Sequence, residues 1–167
     1  MLDRILYKRD IVWPIIYDFF NEFKQKWPNI KCNIVGSVRR EQENIHDFDL
    51  IIGSKNKEIM IWCAEKIQSK NYFPSNIKID GILKNIPIQI WFCDEIEYGL
   101  YLLLKTGPLN FNQKLATVAK KQGLTLSEHG LFIGTPENKI KRIDENTEAN
   151  VIWILLGCKW IHPKERY

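Results

Sequence analysis

A chain of 167 residues that is 45% hydrophobic and carries six Trp can bury a genuine core and is far too apolar for a disordered tail. Its formal charge of +4 and pI of about 8.8 form a mild basic bias, which admits a nucleic-acid partner without requiring one. No run reaches membrane-spanning length and the opening MLDRILYKRD lacks a signal-peptide core, so no membrane partner and an intracellular, cytoplasmic location are expected. Cys32, Cys63, Cys93 and Cys158 show no C-x-x-C spacing and sit in apolar settings. They read as reduced core thiols rather than zinc ligands or disulfides.

The first element is a helix. Val12, Ile16, Phe19, Phe20, Phe23 and Trp27 recur at helical spacing, with Asp10 as N-cap, Pro14 near the first turn and Pro28 after the stop. Next comes Ile34 to Ile52, IVGSVRREQENIHDFDLII. An apolar run ends at Gly36 and Ser37, Arg39 and Arg40 follow, and a polar loop leads to a second strand with Asp47 and Asp49. Residues two apart on a strand share a face, so both carboxylates are expected to point one way, beside a turn offering backbone N–H groups and a hydroxyl. Hard oxygen ligands suit Mg²⁺, while backbone donors and Arg suit phosphate oxygens. A lone D-x-D is more often a solvated strand face. Joined to a Gly-Ser turn and paired arginines, it points to nucleotidyl or phosphoryl transfer.

Ser54 can cap a helix over Glu58–Gln68, with Ile59, Met60, Cys63 and Ile67 on one face. From Asn76 to Phe92 apolar and polar residues alternate around a Lys84-Asn85 break, which predicts a hairpin. If it turns there, Leu83 pairs with Ile86 and Asp80 stands across from Gln89. The period-2 and period-3.6 segments together predict an α+β fold. In it a mixed β-sheet of the Ile34, Asp47–Ile52, Ile77–Leu83 and Ile86–Phe92 segments carries the Val12–Trp27 and Glu58–Gln68 helices on one face.

Gly36-Ser37-x-Arg39-Arg40 followed by Asp47-x-Asp49 resembles the nucleotide-binding palm of the X-family DNA polymerases, within the nucleotidyltransferase superfamily. The resemblance resumes at Tyr98, in YGLYLLLKTGPLNFNQKLATVAKKQGLTLSEHGLF. There Thr106-Gly107, Phe111-Asn112, a helix with Leu115, Val118 and Ala119 inside, and Gly123 before Leu124 to Phe132 look like the family's thumb. A helix capped near Asn146 or Thr147 and ended by Gly157, then Trp160-x-x-Pro163-x-x-Arg166, is similar to its closing segment. Nothing before the first helix resembles a lyase domain.

The resemblance implies a palm over residues 1–105 and a small C-terminal thumb over 106–167. It implies a monomer that transfers a nucleoside monophosphate from a dNTP to the 3′-hydroxyl of gapped or primer-template DNA. Two Mg²⁺ (or Mn²⁺) ions about 3.5–4 Å apart would serve the transfer. Asp47 and Asp49 would ligate the metals, and Gly36 and Ser37 would hold the β- and γ-phosphates with Arg40. Thr106 and Gly107 would form a turn near the sugar, and Asn112 would touch the minor-groove edge of the incoming base. Lys105, Lys114, Lys120, Lys121 and Arg166 are expected near DNA phosphates. Arg39 reads as a solvated or sheet-bracing arginine.

The sequence departs from the family in several places. Gln113 and Ala116 stand where basic or aromatic side chains often grip the template, and His129 replaces a common Tyr. Gln89 occupies the position of the third catalytic carboxylate. A neutral amide neither takes a proton nor balances a metal's charge. Asp80, across the hairpin, is either the substitute acid or an exposed strand-end residue. The departures keep open a catalytically inactive nucleotide- or DNA-binding protein, and a nucleotidyltransferase acting on RNA or protein.

Overall fold

Four strands of the N-terminal half hydrogen-bond into one mixed sheet, the element on which everything else in that half is hung. The computed structural model describes residues 5–69, 77–143 and 147–167. Asn76 and Asn146, an expected hairpin start and helix cap, lie outside them. The chain divides into two units, Met1–Glu95 and Ile96–Tyr167.

In the N-terminal unit the order is β1 (Tyr7–Lys8), α1 (Arg9–Lys26), β2 (Cys32–Val35), α2 (Gly36–Arg39), β3 (Asn44–Ile45), β4 (Phe48–Ile52), α3 (Lys57–Lys66), β5 (Lys78–Leu83) and β6 (Ile86–Phe92). The sheet order is β2-β4-β6-β5, and a two-stranded ribbon pairs β1 with β3. Strands β4 and β6 run parallel, while the other two pairings are antiparallel. Phe48, Leu50 and Ile52 of β4, with Ile88, Ile90 and Phe92 of β6, join one buried cluster with Val12, Ile16, Phe19 and Phe23 of α1 and Ile59, Met60 and Cys63 of α3. Both helices therefore cover the same face, as the alternation predicts. Burial pushes the Cys32 thiol up to about 12 and the Cys63 thiol higher still, so both stay protonated core groups.

Three local expectations are corrected. Helix α1 begins at Arg9 on an N-cap, Lys8, that makes no side-chain cap bond, and Asp10 lies inside the first turn. There its carboxylate still favours the positive helix end. Because the helix starts that early, Pro14 falls in the second turn and cannot donate to the Asp10 carbonyl. The cap of α3 is Asn56, whose side chain accepts from Glu58 N at 2.8 Å, while the Ser54 hydroxyl accepts from Asn56 N at 3.2 Å. Ser54 shapes the entry loop and Asn56 closes it.

The hairpin turns where expected. Lys84 (φ 47°) and Asn85 (φ 69°) both take left-handed backbone, the two-residue turn whose twist matches its strands. Leu83 pairs with Ile86 and Asp80 with Gln89. Next to Asp80, a Cβ at Gly81 would overlap the Ile67 carbonyl, the same carbonyl that accepts from Ile82 N at 2.7 Å. Only glycine lets β5 lie this close to the end of α3.

The C-terminal unit contains α4 (Tyr98–Thr106), α5 (Leu109–Lys121), β7 (Leu124–Ser127), β8 (Gly130–Gly134), β9 (Lys139–Arg142) and α6 (Glu148–Leu156). The strands form an antiparallel sheet in the order β7-β8-β9. Leu100 and Leu103 of α4 share a core with Phe111, Leu115 and Ala119 of α5 and Val151, Ile152 and Leu155 of α6, so α4 belongs with this unit. Thr147 caps α6 by accepting from Asn150 N at 3.2 Å, and Gly157 ends it at φ 69°, as predicted.

Candidate active site

The site is assembled where β2 stops. Val35 is extended, Gly36 turns to φ 64°, and the short helix α2 begins at once. A Cβ on Gly36 would overlap Asp49 Oδ2. Glycine is thus required twice, for its backbone angle and for the closeness of a carboxylate on the neighbouring strand. Arg40 N donates to the Gly36 carbonyl at 3.3 Å. Burial pulls the Arg40 guanidinium below its ordinary value, and the Asp49 carboxylate opposes that shift. A carboxylate, a half-buried guanidinium and a glycine turn therefore meet in one place.

Asp47 lies just ahead of β4, one residue outside the expected strand, yet it and Asp49 are both half-buried on either side of fully buried Phe48. The alternation puts the two carboxylates on the face opposite the helices. Asp47 also lines a cavity of about 290 Å³ with His46, Pro87 and Gln89. Ser37 is half-buried in α2, and Arg39 lines a separate groove of about 630 Å³ with Arg9, Trp13 and Glu41.

The ladder then ties these groups to Gln89 and Asp80. Asp49 pairs with Gln89 in the parallel register, and Gln89 pairs with Asp80 in the antiparallel one. Asp49, Gln89 and Asp80 consequently form one row across three strands. A fourth group stands beside them that the sequence reading passed over. Lys78 Nζ lies 2.9 Å from Asp80 Oδ1 and 3.4 Å from Gln89 Oε1, and 5.2 Å from the centre of the Trp91 ring. The signal was available, because Lys78 is two residues from Asp80 and so shares its face.

Asp47 and Asp49 beside Gly36 and Arg40 fit one divalent cation arriving with a triphosphate, since hard anionic oxygens adjoin phosphate donors. A further cation fits poorly. Among the described residues no three acidic, His or Cys side chains gather into a metal-holding group, and beside Asp49 on the sheet stand the Gln89 amide and, 3.4 Å from it, the Lys78 ammonium.

In the C-terminal unit the expected residues fare differently. The Thr106 hydroxyl donates to the Leu102 carbonyl at 2.6 Å and is fully buried, so Thr106 can offer a ligand its backbone only. Gly107 caps α4 at φ 66°. Asn112 Nδ2 donates to the Leu104 carbonyl at 2.7 Å, which fixes the amide and leaves its Oδ1 a buried acceptor with no hydrogen bond. An unpaired buried acceptor costs about 1–3 kcal/mol, a cost that a bound donor would relieve. Lys114, Lys120 and Lys121 are exposed on α5, as are Gln113 and Ala116. Lys105 is engaged with Glu128 at 2.9 Å, and His129 Nδ1 lies 2.8 Å from Glu97 Oε1.

Arg166 requires correction. It is 3% exposed, its Nη1 donates to Glu148 Oε1 at 2.9 Å, and its Nε and Nη2 both donate to the Ile161 carbonyl. The guanidinium is spent on fastening the C-terminal segment to the first turn of α6, and no phosphate can reach it.

Comparison with known proteins bears on both units. Residues 101–167 match the DNA polymerase beta thumb family. Over 142 residues, covering 79% of this chain and 79% of each relative, the sequence is 28% identical to Repair DNA polymerase X of one African swine fever virus isolate and 27% identical to that of a second. The longer alignment extends well into the unit that carries the carboxylates. Taken with the thumb match, it makes this chain similar to DNA-directed nucleotidyltransferases across parts of both units. Within that class the similarity is to the X-family DNA polymerases.

Proposed function

We propose that the protein is a repair polymerase that extends the 3′-hydroxyl of gapped or primer-template DNA by one nucleotide from a dNTP, with the unit Met1–Glu95 acting as palm and Ile96–Tyr167, which takes in α4, as thumb. The observation that carries the reading is the Asp49 carboxylate seated against Gly36 beside Arg40, because a metal ligand and a phosphate cradle are useful together only when they are in contact. Gly36 and Ser37 hold the β- and γ-phosphates with Arg40, and Asp47 and Asp49 hold the divalent cation, Mg²⁺ or Mn²⁺. When bound, that cation polarises the phosphoryl oxygens and offsets charge on the departing pyrophosphate. The new bond forms between the 3′-oxygen and the α-phosphorus, the bond to the β-phosphate oxygen breaks, and the hydroxyl proton passes to water. Asn112 Oδ1 accepts from the incoming nucleotide, which relieves the unpaired acceptor, and Lys114, Lys120 and Lys121 run beside DNA phosphates.

The two-metal form of this transfer draws on a third carboxylate, and Gln89 holds that position. The same residue favours a second reading, in which the protein binds a metal–nucleotide complex and DNA but does not turn over. Primer extension on one-nucleotide-gapped DNA, with Mg²⁺ and then Mn²⁺, separates the two. Template-directed addition that disappears in Asp49→Asn supports the polymerase. Nucleotide binding without extension in either metal replaces it with the second reading.

A further inference from the structure

We propose that Lys78 is a resident cation standing in for the second metal of this site, so that the protein takes up a single divalent ion, the one carried by the nucleotide. The inference rests on the polymerase reading above and concerns only how its charge is supplied. Three observations carry it. The row Asp49–Gln89–Asp80 has a neutral amide at its centre, where a carboxylate would be needed to share a second ion. The Lys78 ammonium sits 3.4 Å from the amide oxygen, and a second cation bound at Gln89 would have to share that residue with it against like-charge repulsion. Asp80, the remaining acid of the row, is 2.9 Å from Lys78 and its charge is matched there.

The ammonium is held from one further side. The Trp91 ring lies under it at 5.2 Å, a cation–π contact, and Asp80 and Trp91 project from β5 and β6 on the face that carries Asp49. Among the acids of this row and its neighbour, Asp47 and Asp49 face the nucleotide's divalent cation together with Arg40, and Asp80 is already matched by Lys78. Asp80 acts here as a positioning residue, orienting Lys78, and takes no part as a ligand. The expected substitution of Asp80 for the lost acid is thereby reinterpreted, since the register that brings it across from Gln89 also brings its counter-ion.

The test counts metal ions on the full-length protein. Equilibrium dialysis with Mn²⁺ and a non-hydrolysable dNTP on both sides, with gapped DNA bearing a dideoxy-terminated primer, gives protein-bound Mn²⁺ as the excess on the protein side. One Mn²⁺ per chain is expected for the natural sequence, and two per chain for the double variant Gln89→Asp with Lys78→Met. Two per chain in the natural protein overturns the inference and leaves the polymerase reading standing. No bound Mn²⁺ at all overturns both. A double variant that binds its nucleotide but still holds one Mn²⁺ also overturns it, because removing the ammonium and restoring the acid would then have created no site.

Discussion

The two units use their charged residues in opposite ways. On the sheet face of the N-terminal unit, Asp47 and Asp49 are half-buried, and Asp49 lies against a glycine whose lack of a side chain makes room for it. In the C-terminal unit, Glu148 and Arg166 are both buried, and each is enclosed by structural partners: Trp160 Nε1 donates to one Glu148 oxygen at 3.3 Å and Arg166 to the other at 2.9 Å. A buried charge that is fully enclosed supports its fold, whereas a half-buried charge beside a glycine turn can still be reached by a ligand. Residue type alone does not separate the two cases. Arg166 and Arg40 look equally eligible as phosphate binders until burial is compared.

The largest effect should come from the paired side. Arg166→Ala leaves the Glu148 carboxylate buried without its partner, a change that costs about 3–5 kcal/mol. Urea denaturation should show that loss, while the slope of DNA affinity against salt stays as in the natural protein. A slope reduced by about 0.9 with stability intact would return Arg166 to the DNA-contacting set and break the contrast.

Asp49→Asn should act on chemistry instead. Losing an outer partner of a metal ligand already costs about 10–100-fold, so removing the ligand's own charge is expected to lower single-nucleotide extension more than about 100-fold. The urea midpoint should shift less than in Arg166→Ala, because Asp49 is half-buried and the amide keeps its shape. Extension within tenfold of the natural rate would remove Asp49 from the catalytic set.

Gly36→Ala joins both themes. Left-handed backbone costs a non-glycine residue about 1–2 kcal/mol, and the added methyl must displace the Asp49 carboxylate. Stability should fall by that amount and dNTP binding should weaken alongside it. Weaker binding without any stability loss would mean that the turn is more pliant than its packing indicates.

The smallest effect belongs to the exposed lysines of α5. Neutralising Lys120 alone should reduce the salt slope by about 0.9, and Lys120 with Lys121 by about twice that, with no change in the urea midpoint. A flat response would make them solvated-face residues.

Much of the N-terminal unit was legible because its signals are local. Period-2 alternation put Asp47 and Asp49 on one face, and the Lys84-Asn85 turn fixed the hairpin register by its length, which in turn set Asp80 across from Gln89. The helix starts were less legible, since Asp10 and Ser54 are good caps that lost to Lys8 and Asn56. Where the chain enters a helix depends on what the preceding residues already bond to. Arg9 N donates to the Glu43 carbonyl at 2.9 Å, a partner 34 positions away that no cap rule includes.

What the sequence by itself determined is the chemistry on offer: two carboxylates two residues apart, a glycine turn before two arginines, an amide at Gln89, and a thumb-like C-terminal stretch. These follow from side-chain identity and short-range periodicity, which act over a few residues. The tertiary structure decided which charges are already committed. Arg166 is withdrawn by Glu148, Asp80 is matched by Lys78, and the Asp49 carboxylate is brought against Gly36 by the pairing of β2 with β4. Burial and ion pairing depend on distances between residues far apart in the chain, and only the folded molecule sets those distances.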